Sequence, residues 1–222
     1  MIMAAFQLLI GTRNEGKIAE LHEAFGRLPL TLHFLRDFEN ISDVAEVGNS
    51  YLENATLKAM NYARETGMTA LADDSGLEVA ALNGGPGVLS ARFGGVHLTD
   101  IERNRALLGL LDQISATSRN ARFVCYMVLY GSLPSQQGSS SAPKILAVTE
   151  GVCEGSLANE PTGADGFGFD PIFIPEGYTK PFAALDQSIK ARISHRARAA
   201  ETMWRKLDLF LGPNLTAGGS AS

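Results

Sequence analysis

The sequence predicts an α/β protein built on a mixed β-sheet, and three observations carry that expectation. Short strand-like apolar runs recur along the chain, at Ala5–Ile10, Leu30–Phe34, Met68–Ala72, Ala121–Tyr130 and Ile145–Val152, the last two rich in β-branched and aromatic residues. Segments with apolar residues three and four apart lie among them, opened by capping residues. Strands and helices do not alternate strictly, so the sheet is expected to be mixed rather than purely parallel. No internal repeat is visible.

In chain order, the apolar stretch Met1–Ile10 lacks a basic leader and a small-residue cleavage site, so it reads as a first strand, buried over Ala5–Ile10, rather than a signal peptide. The next segment places Ile18, Leu21, Phe25 and Leu28 on one helical face. Ser50 and Glu53 have the spacing of a capping box for a second helix, which Gly67 closes. The strand Met68–Ala72 runs into Asp73-Asp74-Ser75-Gly76, and a glycine-rich turn follows at Asn83–Gly87. Thr99 and Glu102 cap a helix expected to bury Ile101, Leu108 and Leu111. Ser132–Pro143 is polar and suits an exposed hairpin loop, and a last helix is expected from Ser194 to about Leu211. One domain over 1–211 is expected, with Gly212–Ser222 as a flexible tail.

Composition narrows the function classes. The chain has 222 residues, 45% of them hydrophobic and 19% charged, an ordinary globular balance. No apolar run approaches the roughly 20 residues of a spanning helix, so no membrane partner is expected. A formal charge of −5 argues against a nucleic-acid-coating surface. It leaves room for a small anionic substrate, which a few cations and backbone N–H groups can hold. Cys125 and Cys153 lack metal-ligand spacing and read as buried thiols of a reducing cytoplasm.

Five segments carry possible chemistry. Gly11-Thr12-Arg13-Asn14-Glu15-Gly16-Lys17 joins a strand to a helix start, where backbone N–H groups and the lysine attract phosphate. It also spells the first seven positions of a P-loop, but Ile18 stands where that motif needs a magnesium-binding hydroxyl. A plain strand–helix turn explains the heptapeptide equally well. Asp73 and Asp74 follow a strand, the edge where α/β proteins bind ligands, and carboxylates with phosphates suit Mg²⁺. An Asp-rich turn is the bland alternative. Glu53 is explained by its own cap, and Glu46 is either a site acid or a surface one.

Gly163–Pro171 interleaves glycines with Phe167 and Phe169, whose faces can stack on a nucleobase or turn into the core. Asp170 could meet the base edge. Ser194 explains itself as an N-cap. Lys190, Arg192, His195 and Arg196 gather cations near that helix start, where the dipole prefers acids; an anionic ligand would account for the mismatch.

Together these segments resemble the inosine triphosphate pyrophosphatase family, also described as XTP/dITP diphosphatases. The matching residues are Thr12-x-Asn14-x-x-Lys17, Glu53-Asn54-Ala55-x-x-Lys58-Ala59, Ala72-Asp73-Asp74-Ser75-Gly76-Leu77 and Gly85-Pro86-Gly87-Val88-x-Ser90-Ala91-Arg92. Gly166-Phe167-Gly168-Phe169-Asp170-Pro171-Ile172-Phe173 and Ile193-Ser194-His195-Arg196 complete the series, in the family's order.

The resemblance implies an elongated mixed sheet with flanking helices, two lobes and a central active-site cleft. It implies a homodimer that hydrolyses ITP, dITP and XTP with Mg²⁺ to the monophosphate and pyrophosphate. Thr12, Arg13, Asn14, Glu15, Gly16 and Lys17 would bind the triphosphate. Asp74 would accept the proton and ligate the metal, with Asp73 and Glu46 as further metal-associated acids. Ser75 would touch the substrate, and Phe167, Gly168, Phe169, Asp170, Lys190, His195 and Arg196 would complete the nucleotide site. Ala184 and Ile189 depart from the family pattern around Lys190. The rival readings are a P-loop NTPase releasing orthophosphate and a non-catalytic nucleotide-binding protein.

Overall fold

A computed structural model describes residues 6–26, 28–132 and 142–211, so the expectations for Ala5, for most of the serine-rich loop and for the tail lie outside the described residues. Its six strands line up in the order β2-β1-β3-β4-β5-β6. β1 (Phe6–Ile10) runs parallel to β2 (Leu30–Phe34) and to β3 (Thr69–Val79), whereas β6 (Phe173–Pro175) is antiparallel to β5 (Lys144–Leu157). The sheet is therefore mixed, as the sequence predicts. Among the described residues no helix is long and apolar enough to cross a membrane.

The chain divides into two compact units, residues 1–74, 126–150 and 199–222 against residues 75–125 and 151–198. The divisions fall inside β3, between Asp74 and Ser75, inside β4 (Asn120–Gly131), between Cys125 and Tyr126, inside β5, between Glu150 and Gly151, and inside the helix His195–Leu211, between Arg198 and Ala199.

In the first unit, Leu8, Leu9 and Ile10 are fully buried, as a strand covered on both faces requires. α1 (Glu15–Phe25) buries Ile18, Leu21 and Phe25. α2 (Tyr51–Thr66) buries Asn54, Ala55, Lys58, Ala59, Tyr62 and Ala63, and ends at Gly67 in the left-handed conformation that glycine adopts freely. The small alanines pack with Ala72 and Val128, and Leu9, Leu35, Tyr62 and Ala70 form a second apolar group. In the second unit, α3 (Asp100–Gln113) contributes Leu107, Leu108 and Leu111 to a core with Leu77, Val79, Phe123, Cys153, Phe169, Phe173 and Phe182.

Two sequence expectations change. The Asp73–Gly76 segment is not a turn, because β3 continues to Val79. Burial of Leu77 and Val79 carries the strand onward, and the Leu77 N–H donates to Ser90 Oγ at 2.8 Å. Ile101 is 60% exposed, and Arg103 and Asn104 take the buried positions of that turn of α3. β6 and α4 (Gln187–Ile193) had no strong periodic signal, since one is three residues long and the other seven.

Candidate active site

In the first unit, the candidate side chains come from the link after β1, from the middle of β3 and from the buried face of α2. The Gly11–Asn14 link turns β1 into α1, with Asn14 as N-cap: its side-chain oxygen accepts the Lys17 N–H at 3.0 Å. The Asn14 N–H in turn donates to Thr12 Oγ1 at 3.2 Å. A side chain at Gly11 would meet the Tyr62 ring at 2.8 Å, so the link passes close against α2. Lys17 extends to Asp73, with Nζ 2.9 Å from Oδ2. Ile18 is buried, which leaves no hydroxyl at the eighth position of the P-loop spelling and removes that reading.

Neighbouring side chains on a strand leave opposite faces, and the two aspartates meet different lysines. Lys58 Nζ lies 3.2 Å from Asp74 Oδ1 and 2.9 Å from Glu46 Oε1. Asn54 Nδ2 donates to Asp74 Oδ2 at 3.1 Å, while its Oδ1 accepts the Gly48 N–H at 2.8 Å. One asparagine thus ties the Glu46 segment to Asp74. Burial pushes the Asp74 carboxyl above its ordinary value, against the opposing pull of Lys58 and Lys17. Burial lowers the Lys58 pKa, but the carboxylates of Asp74, Asp73 and Glu46 outweigh it and hold the ammonium above its usual range. Three carboxylates against two lysines leave one negative charge in excess.

Arg13 and Glu15 behave differently. The Arg13 guanidinium donates to Asp43 Oδ1 and to the Ile41 carbonyl, each at 2.7 Å, and Glu15 sits 3.7 Å from Arg36 on the exposed side of α1. Arg13 therefore fastens the loop leading to Glu46. Gly16 lies within the first turn of α1. Glu53 caps as expected, its N–H on Ser50 Oγ at 3.2 Å, but its carboxylate accepts the Asn49 N–H at 2.6 Å.

In the second unit, Arg196 Nη2 donates to Ser75 Oγ at 2.7 Å. Lys190 Nζ is paired with Asp170 Oδ2, which also accepts the Phe167 N–H at 2.9 Å. Asp170 therefore braces its own loop and Lys190 rather than standing open to a base edge. Gly166 has a φ of +78°, and a Cβ there would lie 2.2 Å from Asp170 Oδ2; only glycine fits the turn. The Phe167 ring carries Lys190 Nζ at 4.6 Å and the Arg196 guanidinium carbon at 5.8 Å from its centroid. His195 stacks on Phe123, with ring centroids 4.6 Å apart and planes 11° apart.

Two sequence readings are corrected here. Phe169 belongs to the buried core of this unit, so of the two phenylalanines Phe167 alone offers a partly open face. Lys190 and Arg192 lie in the last turn of α4, where the dipole favours cations, so they are no mismatch and call for no anion. His195 and Arg196 begin α5 (His195–Leu211), with the Ser194 hydroxyl accepting the Ala197 N–H at 3.1 Å as the expected cap. Despite Ala184 and Ile189, Lys190 keeps its carboxylate partner.

The residues that sequence reasoning left without a role are Asn54 and Lys58. Their signal was present: both fall on the buried face of α2 among Ala55, Ala59 and Tyr62, where a solvated helix would not place an amide and an ammonium.

The carboxylates are hard oxygen donors of the kind Mg²⁺ takes. Among the described residues no group of three or more His, Cys, Asp or Glu is gathered to hold a metal unaided. Such a donor set fits a Mg²⁺ bound by one or two carboxylates together with substrate phosphates.

Both units find counterparts in known proteins over almost the whole chain. A dITP/XTP pyrophosphatase from Bacillus anthracis is 39% identical over 207 residues, covering 93% of this chain and 98% of that protein. One from Coxiella burnetii is 38% identical over 197 residues, 89% of this chain and 94% of that protein. Among solved structures, a HAM1 protein from Coxiella burnetii has a TM-score of 0.78 at 37% identity, covering 91% of this chain and 98% of that one. A nucleoside-triphosphatase / dITP/XTP pyrophosphatase from Mycobacterium abscessus has a TM-score of 0.66 at 38% identity, covering 89% and 98%. With the Ham1 family matched across residues 8–206, from the middle of β1 to the last turns of α5, the chain belongs to that family.

Proposed function

We propose that the chain hydrolyses non-canonical purine nucleoside triphosphates, namely ITP, dITP and XTP, to the monophosphate and pyrophosphate. The observation that carries this reading is the buried set of Asp73 and Asp74, held by Lys17 and Lys58 beside Glu46, in a chain 39% identical to a dITP/XTP pyrophosphatase. A simple binding protein has no need of so many buried charges, which are costly to desolvate.

The step follows from the groups present. A water oxygen bonds to the α-phosphorus, the bond from that phosphorus to the bridging oxygen breaks, and pyrophosphate departs. Asp74 takes the water's proton, and its raised pKa suits a carboxylate acting as base. Lys17, with the N–H groups at the start of α1, offsets charge on the phosphate oxygens. Asp74, with Glu46 or Asp73 as a second carboxylate, would hold Mg²⁺ together with the substrate phosphates. When bound, the ion supplies positive charge against the phosphates and the leaving pyrophosphate.

Phe167 offers the stacking face for the base, at roughly 1–3 kcal/mol. Arg196 is the candidate donor to the 6-keto group that distinguishes hypoxanthine and xanthine from adenine. Cys125 and Cys153 are buried and not joined in a disulfide, which accords with a reducing cytoplasm, and homodimeric assembly belongs to the same proposal. Incubation with ITP, XTP, GTP and ATP plus Mg²⁺ tests the reading. Pyrophosphate from ITP and XTP, well above GTP and ATP, is expected; orthophosphate, or no product, would overturn it.

A further inference from the structure

We infer that Asp100 and Asn104, one turn apart on α3, are positioning residues for the nucleobase, acting through the backbone of Phe167 and Gly168. The inference rests on the reading of Phe167 as the stacking face. The Gly168 N–H donates to Asp100 Oδ2 at 2.6 Å, and Asn104 Nδ2 donates to the Gly168 carbonyl at 2.8 Å. The Phe167 N–H is already held by Asp170 at 2.9 Å. Both peptides flanking Phe167 are therefore fixed by carboxylates, and the peptide after Gly168 by an amide. A ring whose backbone is pinned on both sides presents its face without first having to order the loop, which is what preorganised binding requires.

Helix chemistry alone does not account for these two residues. An acid in the first turn of α3 is favourable by itself, so Asp100 has a local explanation. Asn104 has none. It is fully buried in mid-helix, where asparagine is a poor choice, and its Oδ1 meets no hydrogen-bond donor among the described residues. Its Nδ2 serves two acceptors, the Asp100 and Gly168 carbonyls, each at 2.8 Å. Turning the amide over would set an oxygen against both carbonyls, so the observed orientation is dictated by them. A leucine would fill the space without leaving an orphaned acceptor. What it could not do is hold Gly168.

The start of α3 is itself fixed. Thr99 and Glu102 form a reciprocal capping box, with the Thr99 N–H on Glu102 Oε2 at 2.8 Å and the Glu102 N–H on Thr99 Oγ1 at 3.3 Å. Gly168 has a φ of +61° with open space where a Cβ would stand. Sterics leave that side of the loop free, and the hydrogen bonds from α3 supply the restraint.

The test is steady-state hydrolysis of ITP with Mg²⁺ by the full chain. Asn104→Ala and Asp100→Ala are each expected to raise KM about tenfold with kcat within about threefold of wild type, since stacking is weakened and the phosphate end is untouched. Asp100→Asn keeps an acceptor oxygen for the Gly168 N–H and should restore KM to within about twofold. In a Phe167→Ala background, Asn104→Ala should add nothing further to KM, because it acts through that ring. If Phe167→Ala raises KM and neither α3 variant does, the clamp is a fold feature only and the inference is wrong. If Phe167→Ala itself leaves KM unchanged, the stacking reading fails first and takes the inference with it. Should Asn104→Ala fail to fold, the comparison of Asp100→Ala with Asp100→Asn decides alone.

Discussion

Replacing Asp74 with asparagine keeps the side chain's shape and removes its ability to accept a proton. The carboxylate receives Lys58 Nζ on Oδ1 at 3.2 Å and Asn54 Nδ2 on Oδ2 at 3.1 Å. An amide has one oxygen for these two donors, so its own NH₂ must face either Lys58 or Asn54. Breaking a buried charge pair from one side costs about 3–5 kcal/mol. Lys58 keeps Glu46 at 2.9 Å, and two carboxylates then face two lysines, so no buried charge is left uncompensated and the loss should be at most about 2 kcal/mol. At about 2–4 °C per kcal/mol for a chain of this size, the melting temperature should fall by no more than roughly 4–8 °C. The catalytic loss is larger, because a positioned general base contributes about 10²–10⁴-fold. Lys17 and Asp73 are untouched, so ITP should still bind. The assay is pyrophosphate release at saturating ITP and Mg²⁺, well below the melting transition, alongside calorimetric titration with ITP. A kcat within about threefold of wild type would refute the assignment of Asp74 as base, and so would a loss of rate explained wholly by lost binding.

Three further outcomes are expected. Arg196→Ala should narrow the ITP-to-ATP preference by about tenfold or more, as a hydrogen-bonding site loses its donor; an unchanged ratio of kcat/KM would remove Arg196 from base reading. Gly166→Ala places a Cβ 2.2 Å from Asp170 Oδ2 at a φ of +78°, so KM for ITP should rise and the loop should become more susceptible to proteolysis; a variant with wild-type KM and protection would show the turn to be tolerant. Burial pushes the Cys153 thiol up to about 11, so its thiolate is scarce at pH 8 and grows only as pH climbs toward that value. Native protein at pH 8 should resist iodoacetamide at Cys153 while unfolded protein reacts, as peptide mass spectrometry would show.

What the sequence made legible follows from the range of each interaction. Local chemistry was readable: Ser50, Thr99 and Ser194 cap the helices that their neighbours suggested, because a cap is satisfied within three residues. The strand–helix–strand succession of β1, α1 and β2 was readable in order, and the structure adds that the two strands pair in parallel. Identities set by distant partners were not. Asp73–Gly76 looked like a turn because those residues favour turns in isolation, but β3 passes through them under the burial of Leu77 and Val79.

The same division runs through the candidate site. Asp74 could be singled out from its motif, yet Asn54, 20 residues earlier, and Lys58, 16 earlier, carry its hydrogen bond and ion pair. Neither is marked by local pattern except as a polar residue on an apolar helix face. Phe167 and Phe169 are spelled identically, each after a glycine, and tertiary packing alone sends Phe169 to the core and leaves Phe167 beneath Lys190 and Arg196. Polar residues buried on an amphipathic face are therefore the sequence feature most worth following to a site. They are costly to bury, and the partners that compensate for the cost are the candidate-site carboxylates or the loops that carry them.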